Sequence, residues 1–124
     1  MRVLYDKCVD NRIWDFYYDA MMKYPNTYFP DDAERDGDKV FDELNKVGTQ
    51  LIKTNNNQIK EWEGYNVDFS KLTGWYFAYK IEGDIIHIYD AENSRNMADN
   101  AYKGKRCIQS FPNNSKAIQN GSLK

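Results

Sequence analysis

The most regular pattern of hydrophobic and polar positions lies between Gly74 and Asp90, which reads Gly-Trp-Tyr-Phe-Ala-Tyr-Lys-Ile-Glu-Gly-Asp-Ile-Ile-His-Ile-Tyr-Asp. Aromatic and β-branched residues fill two arms, and Glu82-Gly83-Asp84 between them has the polar residues and the glycine of a tight turn. The pattern predicts a β-hairpin. Because neither face of the hairpin is plainly polar, we expect interior strands with other elements packed on both faces.

Two amphipathic helices are predicted before the hairpin. The first begins at an Asp10 or Asn11 cap and ends at Pro25-Asn26, and the second begins at Asp31-Asp32 and ends by Thr54–Asn57. The apolar stripe of the first helix consists of Ile13, Phe16, Tyr17, Ala20, Met21 and Tyr24. The stripe of the second consists of Ala33, Val40, Phe41, Leu44, Val47 and Leu51.

Shorter elements complete the prediction. Val3–Tyr5 together with Cys8-Val9 indicates an opening strand, and the segment from Ile59 to Phe69 indicates a strand that leads into the hairpin. After the hairpin, Glu92–Arg95 is predicted as a loop. A short helix containing Met97, Ala101 and Tyr102 is expected to follow it.

These elements predict an α+β fold in which an N-terminal strand and two helices pack on a small antiparallel sheet. We expect a single domain over residues 1–111 and a flexible tail over residues 112–124, where apolar residues are few.

Composition narrows the function classes. The 41% hydrophobic and 15% aromatic content argues against intrinsic disorder, and the net charge of -2 means that any binding of nucleic acid must be local. Cys8 and Cys107 are far apart and lack the spacing of a metal site, so we expect neither a disulfide nor bound zinc. Without the apolar run of a signal peptide or a membrane span, a soluble protein in the reducing cytoplasm is predicted.

The segment from Lys71 to Tyr89 resembles the strand pair of the RelE/ParE toxins from bacterial type II toxin–antitoxin modules. Those proteins have a Gly-aromatic-Arg-x-x-Tyr strand, a short acidic or glycine-containing turn, and an apolar strand that leads into a basic loop. In this sequence, Asn93-Ser94-Arg95 lies near the position of that basic loop. Tyr102 lies near the position of a downstream tyrosine found in the ribonuclease branch of the family. Tyr76 replaces the usual arginine, and the loop has one arginine rather than a cluster. The order of elements is similar over roughly residues 1–103.

The resemblance implies a cytoplasmic toxin that is held by an antitoxin protein and acts on translation, through cleavage of mRNA at the ribosome in its endoribonuclease branch. Cleavage by a 2′-hydroxyl needs a proton shuttle and cations on the phosphate. The candidate catalytic residues are His87, Arg95 and Tyr102, and the candidate nucleic-acid-binding residues are Lys71, Lys103, Lys105 and Arg106. No cofactor, metal or membrane partner is expected.

Each candidate also has a purely structural interpretation. His87 is the only histidine and can be a half-buried strand residue hydrogen-bonded to a neighbour, and Arg95 can be a solvated or helix-capping residue. Lys71 can be a surface lysine, and Tyr102 can be a packed ring with a polar tip. The basic cluster at 103–106 is also typical of residues that only confer solubility.

A second hypothesis is a non-catalytic protein-interaction module on the same scaffold. It would bind through the aromatic face of the sheet or through the second helix, where Asp31 to Glu43 has seven acidic residues against two basic ones. Such a charge excess is typical of a solvated helix face, and it also suits a basic partner.

Overall fold

The computed structural model describes residues 2–55, 58–99 and 106–108 of this 124-residue chain. Two helices cover one face of a five-stranded mixed sheet, and a third, short helix follows the last strand. The strands are β1 (Arg2–Tyr5), β2 (Ile52–Thr54), β3 (Asn66–Ser70), β4 (Trp75–Glu82) and β5 (Ile85–Asn93). The helices are α1 (Lys7–Lys23), α2 (Pro30–Leu44) and α3 (Ser94–Asp99). The predicted α+β class is confirmed.

The sheet has the strand order β1-β5-β4-β3-β2, so the predicted hairpin β4–β5 lies at its centre. Glu82 pairs with Ile85, which leaves a two-residue turn, and Gly83 supplies the positive φ of 68° that this turn needs. The edge strand β1 is parallel to β5, and every other pair is antiparallel.

Both faces of the hairpin are covered, as its pattern predicted. The core on the helix side consists mainly of Val9, Ile13, Val40, Leu44, Val47, Trp75, Phe77, Tyr79, Ile86, Ile88 and Ala91. On the opposite face, a smaller cluster consists of Trp62, Val67, Ala78 and Ile108. Packed layers on both sides place β4 and β5 in the interior of the domain.

Strand β5 continues past Asp90 through Asn93, so the prediction of a loop at Glu92-Asn93 is wrong. A β-bulge makes Ala78 pair with Asp90 and Tyr79 with Ile88, so Tyr89 is an extra residue. Because directly paired residues share a face, Asp90 lies on the face of Ala78.

The two long helices differ from prediction at their ends. Helix α1 begins at Lys7, so Cys8-Val9 is helical rather than extended, and Val9 joins the buried stripe of Ile13 and Tyr17. Helix α2 ends at Leu44, well before the predicted end. The chain turns after it, at a Gly48 with φ +84° whose N–H donates to an Asp68 carboxylate oxygen at 2.7 Å.

That turn allows a strand that the sequence pattern did not predict. Residues 52–54 form β2 and pair antiparallel with β3. The strand expected from Ile59 begins only at Asn66, because Lys60–Trp62 forms a single 3-10 turn whose Trp62 fills the second cluster. None of the described helices is long and apolar enough to cross a bilayer.

Cys8 and Cys107 form a disulfide with their Cα atoms 5.7 Å apart, so the expectation of no disulfide is wrong. The two cysteines are separated by 99 positions in the sequence, so no local spacing pattern marks them as a pair. Because Cys8 lies in the first turn of α1, the bond holds residues 106–108 against the body of the domain. There Ile108 packs into the second cluster with Trp62.

Candidate anion-binding cleft at the end of β5

A cleft of about 560 Å³ opens where β5 passes into α3, between α1 and the turn that joins β3 to β4. Phe16, Tyr17, Tyr24 and Tyr28 give it an aromatic wall. Lys71 and Arg95, two of the candidate residues from the sequence, line the same cleft. We call it the Lys71–Arg95 cleft.

Backbone hydrogen bonds bring these two cations together. The N–H of Gly74 donates to the carbonyl of Ser70 at 2.7 Å, which closes the turn that contains Lys71. The N–H of Ser94 donates to the carbonyl of Gly74 at 2.8 Å, and this bond joins the turn to the start of α3. The Asn93 side chain accepts the N–H of Arg95 at 3.0 Å and so begins the helix.

Lys71 and Arg95 are exposed, and neither forms an ion pair within the described ranges 2–55, 58–99 and 106–108. The cleft also contains Asp36, but that carboxylate is already engaged. It accepts the Tyr28 hydroxyl at 2.6 Å and pairs with Arg35 at 3.2 Å. The two cations therefore carry the charge that is available to a ligand.

Two tyrosine hydroxyls of the wall, those of Tyr17 and Tyr28, stay protonated at neutral pH. Burial raises the pKa of Tyr17, while the hydrogen bond that its hydroxyl accepts from the Trp75 indole N–H at 3.0 Å and, to a smaller extent, the Arg95 charge lower that pKa in part. Burial also raises the pKa of Tyr28, and its hydrogen bond to Asp36 raises it further. These two hydroxyls are thus neutral and can exchange hydrogen bonds with a ligand.

A second, smaller cleft of about 330 Å³ adjoins the first. The two clefts share Phe16, Ala20, Tyr24 and Arg95, so Arg95 stands at their junction. The charges of the smaller one are mixed, because Asp15 and Asp19 line it together with Lys23. An anion is therefore favoured on the Lys71 side of Arg95.

His87 lies far from this cleft. It is in the part of β5 that pairs with β1, six residues before the strand ends at Asn93. At about 3.3 Å per residue, His87 is roughly 20 Å from the start of α3. His87 and Arg95 therefore do not share a reaction centre.

The surroundings of His87 are those of a structural residue. Its ring stacks on Tyr89 with centroids 4.0 Å apart. Its Nε2 lies 3.5 Å from Asp6 and its Nδ1 lies 3.4 Å from Glu82. The Asp6 hydrogen bond raises the pKa of His87 most, burial lowers it, and Glu82 raises it further, so the net shift is upward.

We expect His87→Gln to destabilise the fold most at acid pH. Because the folded pKa is raised, the charge pairing contributes fully below the unfolded pKa of about 6.5 and is lost as the pH rises through the folded value. Urea unfolding of both proteins over a series of pH values measures this. Asp6→Asn should remove most of the pH dependence, and a wild-type advantage that does not vary with pH would contradict the assignment.

Arg106, a candidate for binding nucleic acid, lies in a buried cluster of four charges. Its guanidinium pairs with Asp90 at 2.9 Å and with Glu92 at 2.7 Å, and Arg12 from α1 pairs with the same two carboxylates at 3.4 and 3.1 Å. The Trp62 indole N–H donates to Asp90 at 2.8 Å. Arg106 thus connects the disulfide-linked segment to β5.

The remaining candidates, Tyr102, Lys103 and Lys105, lie outside the described residues, as do Ala101 of the predicted short helix and the predicted tail. The aromatic wall was not predicted as part of a site. One signal was available, because Tyr24 and Tyr28 flank Pro25-Asn26, where the chain leaves one helix for the next.

Comparison with protein-family models, curated proteins and solved structures finds no match to this chain. The likeness to RelE/ParE toxins therefore depends on the hairpin motif and the order of elements. Within the described ranges, no three His, Cys, Asp or Glu side chains converge as the ligands of a metal ion.

Proposed function

We propose that this protein binds RNA, and that the Lys71–Arg95 cleft holds one nucleotide of it. One observation carries the proposal: two exposed cations from separate segments line the same aromatic cleft, and neither is paired with a described carboxylate. The volume of about 560 Å³ lies within the range of about 300–1,000 Å³ typical of small-ligand sites.

The chemistry of the cleft suits a base and its phosphate. Aromatic side chains such as Phe16 and Tyr24 offer stacking surfaces, which bind bases with little sequence preference. Lys71 and Arg95 supply ammonium and guanidinium donors for phosphate oxygens. Tyr17 and Tyr28 contribute neutral hydroxyls. Because the overall charge is -2, such binding must be local. Because it depends on contacts between cations and phosphate, it should weaken at high salt.

The finer functions implied by the RelE/ParE resemblance are part of the same proposal: a bacterial toxin, an antitoxin partner, and cleavage of mRNA at the ribosome. The separation of His87 from Arg95 argues against a mechanism in which both act on one phosphate. A cytoplasmic location is also proposed. Because disulfides are rare in that compartment, trapping the thiol state of Cys8 and Cys107 in cells would test it.

Fluorescence anisotropy with a labelled oligoribonucleotide of about eight nucleotides tests the binding. We expect Arg95→Ala and Lys71→Ala each to weaken affinity about tenfold, since each removes a charged contact with phosphate. The slope of log affinity against log salt should fall by about 0.7 for each cation removed. A nucleoside monophosphate as competitor shows whether one nucleotide suffices.

Matched controls are available on other surfaces. Arg2 and Lys39 are exposed and do not line the cleft, so Arg2→Ala and Lys39→Ala should leave affinity unchanged. Equal binding by Arg95→Ala and the wild type would refute the proposal. The same RNA on a denaturing gel, with and without ribosomes, tests for cleavage.

A further inference from the structure

A row of four aromatic rings crosses the surface where α1 meets α2. The rings are those of Tyr5, Phe41, Trp14 and Tyr18, and the successive centroid distances are 5.8, 5.6 and 6.4 Å. The row lies apart from the Lys71–Arg95 cleft, since none of its members lines that cleft. We call it the aromatic row.

The middle of the row is fixed in place. Trp14 lies directly on the backbone of Gly37, where no room exists for a side chain, and Trp14 and Phe41 are partly buried. The ends are open, with Tyr5 41% and Tyr18 54% exposed. Met22, one helical turn beyond Tyr18, is 80% exposed and extends the apolar surface along α1.

Contiguous exposed apolar surface of this kind marks an interaction site more often than isolated apolar residues do. Rings that are held by packing lose little side-chain entropy when a partner binds. The aromatic row thus has the properties of a preformed docking surface.

Charge next to the row identifies the kind of partner. Asp31, Glu34, Asp38 and Asp42 follow helical spacing, so they form one stripe along α2. Phe41 comes three residues after Asp38 and seven after Glu34, which places the row beside this stripe.

The stripe is unpaired, in contrast to the other acidic residues of α2. Its four members are exposed, and none forms an ion pair within the described ranges. The other three carboxylates are engaged: Asp32 and Asp36 pair with Arg35, and Glu43 pairs with Lys46. The charge beside the row is thus available to a partner.

We infer that the aromatic row and the acidic stripe together bind a basic amphipathic helix of another protein. Its apolar side chains would lie on Trp14, Tyr18 and Met22, in the helix-in-groove mode. Its lysines and arginines would face the stripe and the edges of the row, where aromatic faces also attract cations. Like charge disfavours an RNA or an anionic membrane on this surface.

The test uses the full chain and a labelled helical peptide of about 18 residues, with leucine along one face and lysine elsewhere. A second peptide keeps the leucines and has glutamate in place of lysine. We expect the lysine peptide to bind at least about tenfold more tightly, with an affinity that falls as salt rises. Equal affinities for the two peptides would overturn the inference.

Variants locate the binding. Tyr18→Ala should lower the affinity for the lysine peptide about tenfold, because it removes an aromatic anchor. In the double variant Asp38→Asn/Asp42→Asn, the affinity for the lysine peptide should depend less on salt concentration. Leu72 is 72% exposed and Asp84 is also exposed, both outside this surface, so Leu72→Ala and Asp84→Asn serve as controls without effect.

Two further outcomes would also overturn the inference. If Leu72→Ala weakens binding as much as Tyr18→Ala, the peptide is held without regard to the aromatic row. If sedimentation shows dimers of this chain that Met22→Ala abolishes, the occupant of the surface is a second copy rather than a basic helix. Circular dichroism of each variant confirms that the fold is intact.

Discussion

Asp90→Ala is expected to lower the free energy of unfolding by about 3–5 kcal/mol, because it leaves Arg12 and Arg106 with only Glu92 of their two carboxylate partners. Asp90 is fully buried and pairs with both Arg12 and Arg106. It also accepts the Trp62 indole N–H, which would lose its partner too. Urea unfolding followed by tryptophan fluorescence measures the change.

Two comparisons separate this effect from the loss of any aspartate. Asp84 is exposed in the hairpin turn, so Asp84→Ala should lower the free energy of unfolding much less than Asp90→Ala does. The variant Arg12→Met/Asp90→Leu removes one charge of each sign, so its cost should be smaller than the sum of the two single costs. Additive costs would show that the two residues do not act as a pair.

Loss of the Cys8–Cys107 bond is the second large expected effect. For a closed loop of about 100 residues, chain entropy gives a stabilisation of about 4.7 kcal/mol, and we expect a loss of about 3–5 kcal/mol in Cys8→Ser/Cys107→Ser. The bond also holds Arg106 beside Asp90 and Glu92, so the charge cluster should loosen with it. Comparison of the urea unfolding midpoint of the wild type with and without a reductant measures this loss of stability.

The double serine variant is the control for reduction. Its midpoint should match that of the reduced wild type and should not respond to the reductant. If the wild type unfolds at the same urea concentration in both conditions, the bond contributes nothing to stability and the prediction fails. Single-cysteine variants are less suitable, because the remaining thiol can form bonds between molecules.

The central hairpin could be predicted because its information is local. Alternating apolar residues predict the strands and Gly83 predicts the turn, so β4 and the start of β5 agree with the structure, whereas β5 continues to Asn93. Helices α1 and α2 were found for the same reason, since their apolar residues recur at helical spacing. Their ends were less accurate because a cap or a glycine turn takes effect through distant partners, as Gly48 does with Asp68.

Features set by long-range contacts could not be predicted. Strand β2 has only three residues and two of them are exposed, so its pattern differs little from a loop. The disulfide and the four-charge cluster join residues that are far apart in sequence. No local pattern marks Arg12 as the partner of Asp90.

Residue type predicts some members of the candidate site and fails for others. Lys71 and Arg95 are the cations next to the predicted hairpin, and both line one cleft because the hairpin fixes their positions. The prediction for His87 depends on its side-chain chemistry alone. Its position in the part of β5 that pairs with β1 places it away from the cleft and beside Asp6 and Glu82.

The parallel pairing of β1 with β5 has a consequence for how the chain acquires its shape during synthesis. Arg2 pairs with Ile85, so the first strand emerges from the ribosome long before its neighbour exists. Until then the apolar faces of α1 and α2 have no sheet to pack against and stay exposed to solvent. The nascent chain can therefore bind chaperones or aggregate. Contacts this distant in sequence also slow folding, so we expect the domain to form late and in one cooperative step after β5 is released.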